Sequence, residues 1–177
     1  MYKRQVEWLR QDPVLSHLKL FGYHWDECGH EAGQEMFCEM NDRFLVTARR
    51  FLKSDEGQVE DFYYQFREQK KGVAMVHSIT GHNGFTLRDL VSYDVKHNEA
   101  NGEKNLDGTE YNYSWNCGAE GPSRKKEVRE KRASQERNAF LMLMLGMASP
   151  RILSGDEFGN TQTVSYTHLR AHETAAN

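Results

Sequence analysis

The side chains able to do chemistry are concentrated in polar loops. Thr80-Gly81-His82-Asn83-Gly84 stands directly behind a β-type run, so His82 sits at a strand end. An imidazole there can bind a ligand or serve as an internal hydrogen-bond partner. Asn98, Glu99 and Asn101 lie in a long segment without periodicity, where they either hydrogen-bond a polar ligand or shape turns through Asx-type bonds. Asp156 and Glu157 come after the last apolar run and can contact a ligand or pair with a neighbouring loop. Trp25 offers a flat ring, either as a platform or as a packed aromatic, and Trp115 is similar. The three cysteines, Cys28, Cys38 and Cys117, lack the paired spacing of a zinc or redox motif. They read as reduced thiols of a cytoplasmic protein, and neither metal nor cofactor is expected.

These groups need elements to hold them. Val6 and Leu9 followed by Asp12-Pro13 read as the end of an amphipathic helix and a turn, and 18–23 is a short β-rich run. Asn41 or Asp42 can cap a helix in which Phe44, Leu45, Ala48, Phe51 and Leu52 recur at helical spacing, with a second, polar helix over 59–68. Residues 72–79 form a compact β-type run, and 85–93 is helical. The stretch 94–123, rich in Asn, Gly, Asp and Tyr, is too long for an ordinary connection and is expected to be a lid or binding loop. Residues 125–147 form a long helix whose apolar members Phe140, Leu141, Met144, Leu145 and Met147 are expected in the core, with 151–154 as a last strand. Alternating helix and strand predicts an α/β fold with parallel strands, whose ends at Tyr23, Asn83 and Asp156 open into polar loops.

Composition narrows the function. Hydrophobic residues make up 38% and charged residues 28% of 177, and mean hydropathy is −0.81, lean for a domain that must bury its own core. A piece of something larger would have this balance. The 26 acidic and 23 basic residues are intermixed, giving a net charge of −3, so no basic field exists to draw nucleic acid or anionic lipid. The most apolar run, 139–148, is about half the length that spans a bilayer. A soluble, cytoplasmic protein is expected.

The stretch SITGHNGFTLRDLVSYDVKHNEANGEKNLDGTEYNYSWNCGAEGP, 78–122, closely resembles the seventh-strand region of bacterial glycogen debranching enzymes and isoamylases in glycoside hydrolase family thirteen. RNAFLMLMLGMASPRILSGDEFGNTQ, 137–162, resembles that family's last helix, last strand and Gly-Asp-Glu-Phe-Gly loop. DPVLSHLKLFGYHWDECG and NDRF resemble its fifth-strand region and the segment after that strand. The resemblance covers 6–162 and implies the part of a (β/α)₈ barrel from about strand 5 to strand 8. It further implies retaining hydrolysis of α-1,6 branch points in glycogen, amylopectin or related α-glucans, one carboxylate attacking the anomeric carbon and another protonating the leaving oxygen.

The family's nucleophilic Asp comes after strand 4 and therefore lies upstream of residue 1, absent from this chain. Its acid/base Glu would stand before the residues aligned with His24-Trp25-Asp26, where this sequence has Tyr23, and its third carboxylate would come directly after His82, where this sequence has Asn83. A phenol with an ordinary pKa of about 10 is a poor proton donor near neutrality, and a carboxamide keeps a carboxylate's shape without its charge. The resemblance makes His82, Trp25, Asp26, Asn98, Glu99, Asn101, Asp156 and Glu157 the candidate α-glucan contacts. Residues 1–5 and 163–177 depart abruptly from the pattern and resemble translated adaptor sequence, so they are expected to be non-native or disordered. The chain alone is expected to be inactive and, with open strand edges, to self-associate. An inactive α-glucan-binding relative is the alternative.

Overall fold

The computed structural model describes residues 8–9, 11–25, 37–70, 72–99, 104–106, 108 and 110–162. Four parallel strands form one sheet in chain order: β1 (Leu20–Gly22), β2 (Phe37–Met40), β3 (Ala74–His77) and β4 (Ser149–Pro150). Leu20 pairs with Phe37, Cys38 with Ala74 and Val76 with Ser149. Parallel neighbours require crossovers, and helices supply them. Between β2 and β3 run α1 (Asp42–Leu52) and α2 (Gln58–Arg67); between β3 and β4 run α3 (Leu87–Leu90) and α4 (Lys126–Leu145).

Local chemistry sets these boundaries. Asn41 caps α1, its Oδ1 accepting from the Phe44 N–H at 2.9 Å. Thr86 caps α3, its Oγ1 accepting from the Asp89 N–H at 3.2 Å, so helical geometry begins later than residue 85. The last strand is Ser149–Pro150 rather than the expected 151–154: Pro150 has no N–H to give, and the Arg151 N–H makes the bond to the His77 carbonyl at 2.8 Å that closes the pairing. β2 lies where the periodicity shows only a helix start. Its Glu39, 5% exposed, hides the strand in the sequence. In the fold that carboxylate is neutralised by Lys70 Nζ at 2.6 Å.

The core lies between the helices and the β3 face. Phe44, Ala48 and Leu52 of α1 meet Ile79, Phe85, Leu87, Leu90 and, from α4, Ala139 and Leu143. The buried His77 joins them, its ring stacked on Phe44 at 3.8 Å and its Nε2 3.4 Å from Asn41 Nδ2. Burial without a countercharge pushes its pKa down from 6.5 to about 4, so the ring is neutral.

The expected α4 stripe requires correction. Phe140 packs on the core, but Leu141, Met144, Leu145 and Met147 are exposed. The helix is apolar around its whole girth here, and its buried side is the arc bearing Ala139 and Leu143, not the arc the stripe picks out. A helix apolar all round is built to be covered on more than one side.

Candidate functional site

Because all four strands run the same way, the segments after Gly22, Met40, His77 and Pro150 leave the sheet at one end. Such ends carry ligand sites in open and closed parallel sheets.

After β1, Tyr23 is exposed, whereas Trp25 folds back onto the strands. Its Nε1 donates to the Cys38 carbonyl at 2.9 Å, its backbone N–H donates to Glu39 Oε2 at 3.2 Å, and its ring lies 4.8 Å from that of Phe37. A side chain at Gly22 would meet the indole at 2.6 Å, so the glycine makes room for it. Trp25 is therefore half-buried and packed. Asp26 and Asn101, like Cys28 and the expected non-native stretches 1–5 and 163–177, lie outside the described residues.

After β3, His82 and Asn83 are both exposed at the crest of a loop whose ends are buried. Gly84, at φ +95°, turns the chain there, and the Asn112 carboxamide closes on it so tightly that a β-carbon would sit 2.6 Å from Oδ1. After β4, Gly155 and Gly159 take left-handed conformations at φ 105° and 72° on either side of the one-turn 3₁₀ segment Asp156–Phe158. That accounts for both glycines of Gly-Asp-Glu-Phe-Gly. The turn aims Asp156 inward, where Oδ1 accepts from the Leu87 N–H at 2.9 Å and Oδ2 from the Thr80 hydroxyl. Glu157 stays exposed and accepts from the Gly155 N–H at 2.9 Å.

The described ends of the long segment are tied down. Arg132 of α4, 3% exposed, donates to the carbonyls of Ser92, Asn116 and Ala119. Burial alone would raise the Glu120 carboxyl. Hydrogen bonds from His97, the Asp94 N–H, Asn116 and the Val95 N–H outweigh it and hold the group below the usual carboxylate range. Asn98 is buried, its backbone N–H donating to Asn105 Oδ1 at 2.9 Å, whereas Glu99 is exposed to solvent.

Besides Glu39 and Lys96, sequence reasoning missed three further buried charges. Arg49 donates through Nε to the Ile79 carbonyl at 2.7 Å and through a terminal nitrogen to the Asn112 carbonyl at 2.9 Å. Burial lowers its pKa to about 10, opposed by the Asp156 carboxylate. Asp89, wholly buried, accepts from the Gln162 N–H at 2.6 Å and from the Thr161 hydroxyl, while Thr86 Oγ1 donates to Asp89 and reaches the Asn160 carbonyl at 2.9 Å. Arg132 is the third. One signal was available: Arg49 falls on the apolar arc of α1, beside Ala48 and Leu52.

The loop from Gly81 to Thr86 contains no carboxylate, so its imidazole and carboxamide can bind polar ligands but cannot supply the anion of an acid–base pair. Among the described residues no cluster of His, Cys, Asp and Glu could hold a metal ion, and no helix is long and apolar enough to cross a membrane.

No family model matches the chain. Individual relatives do. It is 39% identical over 166 residues to a glycogen operon protein GlgX homolog of Mycobacterium tuberculosis, covering 87% of this chain and 23% of that protein. It is 40% identical over 168 residues to a glycogen debranching enzyme of Klebsiella pneumoniae, covering 88% of this chain and 26% of the relative. Against the chloroplastic isoamylase 3 of Oryza sativa it is 36% identical over 187 aligned positions, covering 97% of this chain and 24% of the relative. The chain thus spans about a quarter of the relatives it matches. With 36 to 40% identity along most of its length, it belongs to the family of glycogen debranching enzymes and isoamylases.

Proposed function

We propose that this chain is the carboxyl-terminal part of the catalytic barrel of a glycogen debranching enzyme, with β1 to β4 as strands 5 to 8 of a (β/α)₈ barrel. The complete protein would hydrolyse α-1,6 branch linkages in glycogen or related α-glucans, in a reducing cytoplasmic setting that fits the free thiols Cys38 and Cys117. The carrying observation is the four-stranded parallel sheet in chain order, whose loops after β1, β3 and β4 hold the motifs shared in the resemblance to debranching enzymes. His82 would hydrogen-bond sugar hydroxyls, and the exposed Glu99 in the long segment and the exposed Glu157 in the loop after β4 would add to those contacts. A fragment lacking the nucleophile's strand would not catalyse by itself.

A specific observation favours a second reading. Tyr23 and Asn83 stand exposed at the positions where the resemblance places the acid/base Glu and the third carboxylate, so a glucan-binding protein without hydrolytic activity fits them better. The two readings separate in a full-length protein carrying this segment, assayed for reducing ends released from amylopectin. Release by the unmodified protein supports the enzyme. Binding without release, with activity appearing only after Tyr23→Glu and Asn83→Asp, supports the binding protein. Neither binding nor release, with or without those substitutions, refutes both.

A further inference from the structure

One carboxylate holds both ends of the loop that carries His82 and Asn83. Thr80 opens that loop and Leu87 stands just past its close, and the two are bonded to opposite oxygens of Asp156. Asp156 is 6% exposed and comes from the turn after β4, so it reaches across from a separate crossover. Arg49 lies next to it in the interior and fixes the residue just before Thr80, through the Ile79 carbonyl, together with Asn112 of the long segment. Asn112 in turn abuts Gly84 at the loop's own bend. The crest is thus exposed while every approach to it is tied to a buried charge.

We infer that Asp156 is a positioning residue: it sets the conformation in which His82 and Asn83 are presented, and it does not touch the ligand itself. Its two oxygens are committed to Leu87 and Thr80, and a buried carboxylate with both sides engaged has little left to offer a sugar hydroxyl. Replacement by Asn keeps one acceptor for the Leu87 N–H and leaves an amide facing Thr80, which must reverse its hydroxyl to accept. Replacement by Ala leaves Leu87 and Thr80 without their acceptor and Arg49 without its countercharge. The consequence for ligand binding rests on the glucan reading proposed above; the clamp does not.

The test is amide hydrogen exchange read by mass spectrometry on a full-length protein carrying this segment, with and without maltoheptaose. In Asp156→Ala, peptides covering 79–87 should exchange about tenfold faster, while 37–52 stays within about twofold of the parent. Asp156→Asn should recover part of the protection, and Thr80→Val, which keeps the shape, should loosen the same peptides if the alanine variant fails to fold. Maltoheptaose should slow 79–87 in the parent and not in Asp156→Ala. Unchanged exchange at 79–87, or loosening equal throughout the chain, overturns the clamp. Local loosening with no response of the parent to maltoheptaose upholds the clamp and sinks the glucan reading instead.

Discussion

Replacing His77 by Phe should remove a large part of the chain's acid sensitivity. The ring is fully buried, stacked on Phe44, and faced by the Asn41 carboxamide and the backbone around Gly146, with Glu68 reaching it through Asn41. Burial lowers its pKa from 6.5 to about 4 in the fold. The unfolded chain therefore takes up this proton first as pH falls. The stabilisation from keeping the ring neutral is complete above about pH 6.5 and is lost progressively down to about pH 4, where the folded ring also protonates. Across that window the loss attributable to one fully buried imidazole is about 3 kcal/mol, an order-of-magnitude figure. Phenylalanine keeps the stack and has no proton to gain, and Asn41 retains Glu68 as a partner. Urea unfolding monitored by tryptophan fluorescence, at submicromolar protein and at steps between pH 7 and pH 4, measures the difference. The parent's midpoint should fall much more steeply than that of His77→Phe, whose residual slope reports other groups, Glu120 among them. Parallel slopes in the two proteins would refute the assignment of the buried imidazole as the source.

Two further outcomes concern features that the helices expose or tie down. Leu141→Glu combined with Leu145→Lys, at exposed positions on α4, should shift sedimentation of the chain towards monomer and change the unfolding free energy by no more than about 0.5 kcal/mol; an unaltered distribution removes that face from any role in self-association. Asp89→Ala should release residues 160–162 from α3, seen as early tryptic or carboxypeptidase trimming of the segment beyond Arg151, and resistance equal to the parent's would show that Asp89 is not what holds it.

Elements with their own local signals are readable along the chain. Helical spacing from Phe44 to Leu52 and the Asn41 cap mark α1 almost to the residue, and the compact run before Thr80 marks β3. β2 is not readable, because Glu39 is made tolerable in a buried strand only by Lys70, far along the chain. The same separation hides the framework of the site. Arg49 finds Ile79 and Asn112, Asp89 finds Thr161 and Gln162, and Asp156 finds Thr80, all through the fold, so no spacing rule registers them. Trp25 shows the converse: an aromatic that the resemblance makes a candidate contact spends its indole N–H on a strand carbonyl. Asp156 is a candidate by position, and burial commits its carboxylate to the Leu87 N–H and the Thr80 hydroxyl.

The Asp89 anchor also fixes an order of events during synthesis. α3 and the loop before it are made long before Thr161 and Gln162, yet the carboxylate that stabilises the start of α3 is satisfied by those two residues, and Thr86 by the carbonyl of Asn160. Until the ribosome has released that stretch, a buried-to-be charge must stay hydrated and the crest with His82 has no fixed shape. The loop bearing His82 and Asn83 is therefore among the last parts of this region to mature, and a nascent chain stalled before Asn160 should carry its core helices without that loop's final shape.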